Sequence, residues 1–218
     1  MTASTARPAQ AAKEKRSRGR PACSQIAGSD ALLKSARRAF AKRGFESTSV
    51  REIARDSGVD PALISHHFGS KEALWIAVVE QIAQHTAPMI DATGKLRTAD
   101  LTNRQRVERA LGIFIDKVFS EPDIGTFFAT VATEQGERLD VLIERLLRPY
   151  HDVFVPLLAD AIDSGELAPN DPEVLFAMLT NGVGKTVSYS HLLSIFSPLP
   201  NDPVKFKQAV LATALSML

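Results

Sequence analysis

Residues 47–74, STSVREIARDSGVDPALISHHFGSKEAL, decide how the chain is read. Ser49 precedes Glu52 by three residues, the spacing at which a hydroxyl and a carboxylate satisfy the free N–H groups of a helix start. A helix begins there, buries Ile53 and Ala54, and ends at Gly58 after about two and a half turns. Val59 then plugs the turn into the core. Asp60 supplies a second N-cap, and Pro61 fits the first helical position, where its missing N–H costs nothing. The next helix spans about 61–67, with Ile64 and Phe68 inward and Pro61, Ala62, Ser65 and His66 on other faces. Two short capped helices around a glycine turn, over 49–68, make a helix-turn-helix, whose second helix enters the major groove of DNA by its N-terminal residues.

Working outward, Leu32, Leu33, Ala36, Ala39 and Phe40 recur at spacings of three and four, and Gly44 follows as a cap. This predicts a helix over 29–43. After the break at Gly69-Ser70, Lys71 opens a long fourth helix with Leu74, Trp75, Val78, Val79 and Ile82 along one side. Further apolar helical segments are expected near 104–120, 125–136, 139–164, 172–196 and 203–217. They are divided by Glu121-Pro122, Gly136, 164–169 and 197–203. No strand pattern and no fixed-period repeat is present, so the fold class is all-α.

The 218 residues are 44% hydrophobic and 23% charged, without an apolar run of about 18 residues, as in a soluble globular chain. No membrane partner is implied. The net charge of +1 hides an asymmetry. Residues 1–75 carry 14 Lys and Arg against 7 Asp and Glu, whereas 76–218 carry 12 against 18. A basic N-terminal part on an acidic body suits a polyanion-binding module, with a solvated surface as the plainer reading. Met1 to Gln10 lack a secretory apolar stretch and Cys23 is the one cysteine, so a cytoplasmic location is expected.

The quoted stretch closely resembles the TetR (tetracycline-repressor-like) family of transcription regulators, through Ile53-Ala54, Gly58-Val59, His67-Phe68 and Lys71-Glu72-Ala73-Leu74. The resemblance covers about 26–86 and beyond that is architectural. It implies a disordered basic tail at 1–25, an N-terminal three-helix DNA-binding domain at 26–86, and a C-terminal helical ligand-binding and dimerisation domain at 87–218. The implied activity is that of a ligand-responsive repressor binding a palindromic operator as a homodimer. No cofactor, metal or catalytic residue is implied.

By the same resemblance Arg51, Pro61, Ala62 and Ser65 contact bases. Arg51 suits a guanine edge, although a plain surface arginine is the alternative. Leu63 stands where Thr is frequent and Ser65 where Tyr is frequent, which favours apolar contact with thymine methyls. Thr48, Ser49, His67 and Lys71 match positions that grip phosphates. The adjacent His66 and His67 point about 100° apart, which argues against a shared metal.

In the body, most aromatic side chains are core. Phe114, Phe127, Phe128, Tyr150, His151, Met178 and Asn181 are the candidates to line a pocket for a small-molecule effector, with Glu134 and Tyr189 as further polar candidates. The segments 172–196 and 203–217 fit the family's four-helix dimer interface. Gly182 and Gly184 there allow close helix approach or else mark a break. The fourth helix, as the continuous connection between the two parts, is expected to carry a ligand signal from Trp75, Val78 and Val79 to Lys71.

Two rival functions find less support. No nucleophile elbow, phosphate loop or metal-spaced cluster points to an enzyme. An architectural DNA-coating protein would need less body than this chain has.

Arg18-Gly19-Arg20-Pro21 resembles the core of an AT-hook, in which Arg18 and Arg20 follow a narrow minor groove; a basic tail gripping phosphates is the alternative. If the arm enters the groove, deleting residues 1–24 weakens DNA binding most on sites with A·T-rich flanks. Gel shifts on A·T-rich and G·C-rich flanks distinguish the two, an equal loss leaving only the phosphate contact.

Overall fold

The computed structural model describes residues 22–133 and 136–218, with side chains from Asp30 onward. Among the described residues there is no strand, and no helix is long and apolar enough to cross a membrane. The order is α1 (Ala22–Arg43), α2 (Val50–Ser57), α3 (Pro61–Phe68), α4 (Lys71–Lys95), α5 (Asn103–Ser120), α6 (Pro122–Val131), α7 (Glu137–Leu142), α8 (Arg148–Asp163), α9 (Pro172–Ser188), α10 (Ser190–Leu193) and α11 (Pro203–Leu215). Helix α1 starts seven residues before the expected 29, so residues 22–25 are helical rather than tail.

Two apolar cores organise the chain. The first gathers Leu32, Ala36 and Phe40 of α1, Ile53 and Ala54 of α2, Ile64 of α3 and Leu74, Trp75, Val78, Val79 and Ile82 of α4. The second lies among α5, α8, α9 and α11 and includes Leu111, Ile115, Phe154, Leu158, Leu179 and Phe206. Helix α4 reaches both, supplying Met89 to the second.

It is not the only bridge between them. Phe127 and Val131 of α6 belong to the first core, where the Phe127 ring lies 6.1 Å from that of Trp75. Thr130 Oγ1 donates to the Ala41 carbonyl at 2.8 Å, fastening α6 to α1. The expectation that α4 alone connects reader and body is therefore corrected: α6 returns across the chain and packs on α1.

A charge cluster fixes that packing. Arg37 on α1 is buried, and its Nε donates to Asp123 at 3.0 Å while Nη2 donates to Glu121 at 3.0 Å. His85 of α4 and Lys117 of α5 also reach Glu121. A buried guanidinium is tolerated only when such partners replace water.

The segment expected as one helix over 139–164 contains a wider turn at Ile143–Leu147, where the Arg148 N–H reaches back to the Ile143 carbonyl. Pro149 explains it, because its ring would press on a carbonyl four residues earlier and it has no N–H to give. The expected helix over 172–196 ends at Ser188. Neither Gly182 nor Gly184 breaks it. The glycine that allows close approach within the chain is Gly125 of α6, where a Cβ would stand 3.4 Å from the Gly184 carbonyl and 2.4 Å from Ser188 Oγ, whereas one on Gly184 would meet nothing within 4 Å.

Burial raises the Glu121 carboxyl, but hydrogen bonds from Lys117, His85 and Arg37 and the charge of Lys117 more than offset this, holding it at about 2 against an ordinary 4.5. A carboxyl depressed on folding adds stability above its unfolded value, and that stability is lost as pH falls through the folded one. Glu121→Gln should therefore melt below the parent at about pH 6, with the gap closing between about pH 5 and pH 2. Thermal melts across that range check this; a constant gap would remove Glu121 from the acid response.

Candidate nucleic-acid interface and effector cavity

The helix-turn-helix forms as its caps dictate. Ser49 Oγ accepts from the Arg51 N–H at 3.2 Å, and Glu52 accepts from the Ser49 N–H at 3.3 Å. Gly58 ends α2 at φ 69°, a left-handed conformation that a side chain would strain. Asp60 then caps α3, accepting from the Ala62 N–H at 2.8 Å. Arg43 of α1 pairs with Glu52 at 2.7 Å, fixing α2 against α1. Lys71 Nζ donates to the Phe45, Glu46 and Thr48 carbonyls at 2.9, 3.4 and 3.3 Å and lies 4.2 Å from the Phe45 ring centroid.

This frame leaves one face of α2 and α3 open. Arg51, Pro61, Ala62, Ser65, His66 and His67 are all exposed, and Ile64 between them is buried. Among the described residues Arg51 makes no ion pair. Leu63 is 54% exposed, an apolar side chain on the same helix that the sequence reading left outside its base-contact set. Its signal was already present, since a single apolar residue beside the buried Ile64 has no core position left to fill.

Two of the residues matched to phosphate positions, Thr48 and Lys71, are engaged within the chain. Thr48 is buried and its hydroxyl donates to the Gly44 carbonyl at 2.6 Å, so it closes the α1–α2 turn. Lys71 spends its donors on three carbonyls of that turn and so orients the motif rather than presenting a free cation. Ser49 and His67 remain at the surface. Arg18 and Arg20 lie outside the described residues.

A cavity of about 550 Å³ lies between α4, α5, α6, α8 and α9, within the roughly 300–1,000 Å³ of small-molecule sites. Phe114, Phe128, Tyr150, His151 and Asn181 line it as expected from the sequence. Two candidates do not. Phe127 faces Trp75 in the first core, because consecutive residues point about 100° apart and only one of the Phe127-Phe128 pair can face the cavity. Met178 is 55% exposed and absent from the cavity wall, which α9 builds with Phe176, Ala177, Thr180 and Asn181. Tyr189 is absent from the lining and Glu134 lies outside the described residues.

Sequence reading missed Lys117, Glu121, Glu173 and Lys185, which also line the cavity. Glu173 accepts from or pairs with His151 Nε2 at 2.8 Å, and Asp152 meets His151 Nδ1 at 2.9 Å. The Asp152 hydrogen bond chiefly raises the His151 pKa; burial opposes it, and Glu173 adds to the rise. Tyr150 is buried, which pushes its phenol up, and among the described residues its Oη has no hydrogen-bond partner.

Residues 32–78 match the family described as "Bacterial regulatory proteins, tetR family". The transcriptional repressor NicS of Pseudomonas putida is 33% identical over 63% of this chain and 62% of that protein, so the chain spans somewhat under two thirds of that relative. The transcriptional regulator BetI of Rhizobium meliloti is 32% identical over 63% of this chain and 69% of that protein. The solved structure of PfmR, a TetR-family transcriptional regulator from Thermus thermophilus, superposes with a TM-score of 0.65 at 16% identity, covering 87% of this chain and 94% of that one. The capped helix-turn-helix, the helical body and these relatives agree: the chain belongs to the TetR family of bacterial transcription regulators, which bind DNA and are not enzymes.

Proposed function

We propose that the protein represses transcription by binding a palindromic operator as a homodimer, and that a small molecule in the 550 Å³ cavity releases it. The open face of α2 and α3, with an unpaired Arg51 held by a fully capped frame, carries the DNA reading. Arg51 takes a guanine edge, and Pro61, Ala62, Leu63 and Ser65 contact bases largely through apolar atoms, thymine methyls suiting them best. Ser49 and His67 grip phosphates, which set the register without reading sequence.

Dimerisation is supported by an apolar surface at the end of the chain. Val174 and Met178 on α9, Leu192, Ile195 and Phe196 after it, and Val204 on α11 are each more than half exposed. A run of this kind marks a contact surface, and Gly182 on the same face of α9 has open space before it. The coupling route is α6. Phe128 lines the cavity while the adjacent Phe127 sits in the DNA-binding core, so any ligand that displaces α6 moves both.

Arg51→Ala should cost operator affinity about 1–3 kcal/mol, roughly 5- to 150-fold, and leave the melting temperature unchanged. Lys71→Ala should lower both, because three carbonyls lose their donor. Titration of operator DNA alongside thermal melts checks the pair. An Arg51→Ala protein with parental affinity would contradict the assignment of the reading face.

A further inference from the structure

The cavity has walls dominated by Phe114, Phe128, Phe176 and aliphatic side chains, with few polar groups among them. The charges among those groups are unequally matched. Both carboxylates in the lining are already engaged: Glu121 by Lys117, Arg37 and His85, and Glu173 by His151. Among the described residues Lys185 of α9 makes no ion pair. Among the described residues a cationic ligand would therefore meet no free carboxylate, whereas an anionic one meets the Lys185 ammonium.

Tyr150 is a second and independent observation. It is 5% exposed, its ring is stacked 5.3 Å from that of Phe114, and among the described residues its hydroxyl has no partner. A buried hydroxyl without a partner forfeits its bonds to water, and a ligand acceptor restores them. Burial keeps the phenol protonated at neutral pH, so it can donate.

We propose that the cavity takes an amphipathic monocarboxylic acid, whose apolar body lies among Phe114, Phe128 and Phe176 and whose carboxylate accepts from Tyr150 Oη and is charge-matched by Lys185. This rests on the reading of the cavity as an effector site. Ala177, Asn181 and Lys185 both line the cavity and are exposed, so the acid enters along this edge of α9. An exposed lysine gives a modest charge preference, while the buried phenol gives the larger share of head-group affinity.

The test uses the full chain with dodecanoate, dodecanamide and dodecylamine below their aggregation concentrations, and with naphthalene-2-carboxylate as an acid of different body. Calorimetry should find dodecanoate bound about 10-fold more tightly than dodecylamine, with the amide between them. Lys185→Gln should reduce the preference for acid over amine several-fold and leave the amide unaffected. Tyr150→Phe should weaken dodecanoate about 10-fold while the ligand-free protein melts at the same temperature or higher, since its unpartnered hydroxyl is gone. Dodecylamine binding as tightly as dodecanoate, or neither acid binding, would overturn the proposal. So would a Tyr150→Phe protein that is folded and binds dodecanoate like the parent; if that variant fails to fold, Lys185→Gln decides. Gel shifts on operator DNA without any probe are scored separately. Intact operator binding without acid preference refutes the ligand class alone, and acid preference without operator binding refutes the regulator reading alone.

Discussion

Arg37 cannot be separated from α6 without leaving a guanidinium stranded away from water. It is 1% exposed, and Asp123 and Glu121 supply the charge that makes its burial tolerable. The consequence is that α1, which carries the DNA-binding core, and α6, which walls the cavity, are held as neighbours. Thr130 and the Phe127–Trp75 contact act on the same interface. The second link, α4, is covalent and long; its Trp75 faces α6, while its Ile82 belongs to the first core and also lines the cavity. A signal from the cavity therefore has a short route through α6, which packs into the first core with Phe127 and lines the cavity with Phe128.

What makes α6 suitable for this is a small geometric fact. Phe127 and Phe128 are adjacent in sequence and so diverge by about 100° around the axis. Phe127 is buried in the first core, and Phe128, packed against the edge of the same core, also lines the cavity. Gly125 lets the helix lie against α9 closely enough that no Cβ would fit, so the wall has little slack. A ligand shifts such an arrangement only by its differential affinity for the two states, which for a 100-fold change in operator affinity is about 2.7 kcal/mol.

The helix-turn-helix was legible in the sequence because everything that defines it is local. Ser49 with Glu52, Gly58, and Asp60 with Pro61 lie within a short stretch, and each acts through neighbours on the backbone. The reading failed where partners are distant. Arg37 and its acids are 84 and 86 residues apart, and Glu121-Pro122 looked only like a helix break. Lys71 matched a phosphate position, yet its ammonium is drawn to carbonyls of a turn 23 to 26 residues earlier. In the body, periodicity identified apolar faces but not which of two cores each face joins, and this misplaced Phe127 and Met178. The wide turn before Pro149 and the start of α1 at Ala22 were likewise invisible to apolar spacing alone.

In the proposed complex two copies of α3 enter successive major grooves of one operator. Hydroxyl-radical footprinting of the purified protein on the DNA flanking its own gene tests this most directly. Two protected half-sites related by a two-fold axis are expected, with centres roughly 34–36 Å or a multiple of that apart. A single protected half-site at saturation, or uniform protection that ignores sequence, would contradict it.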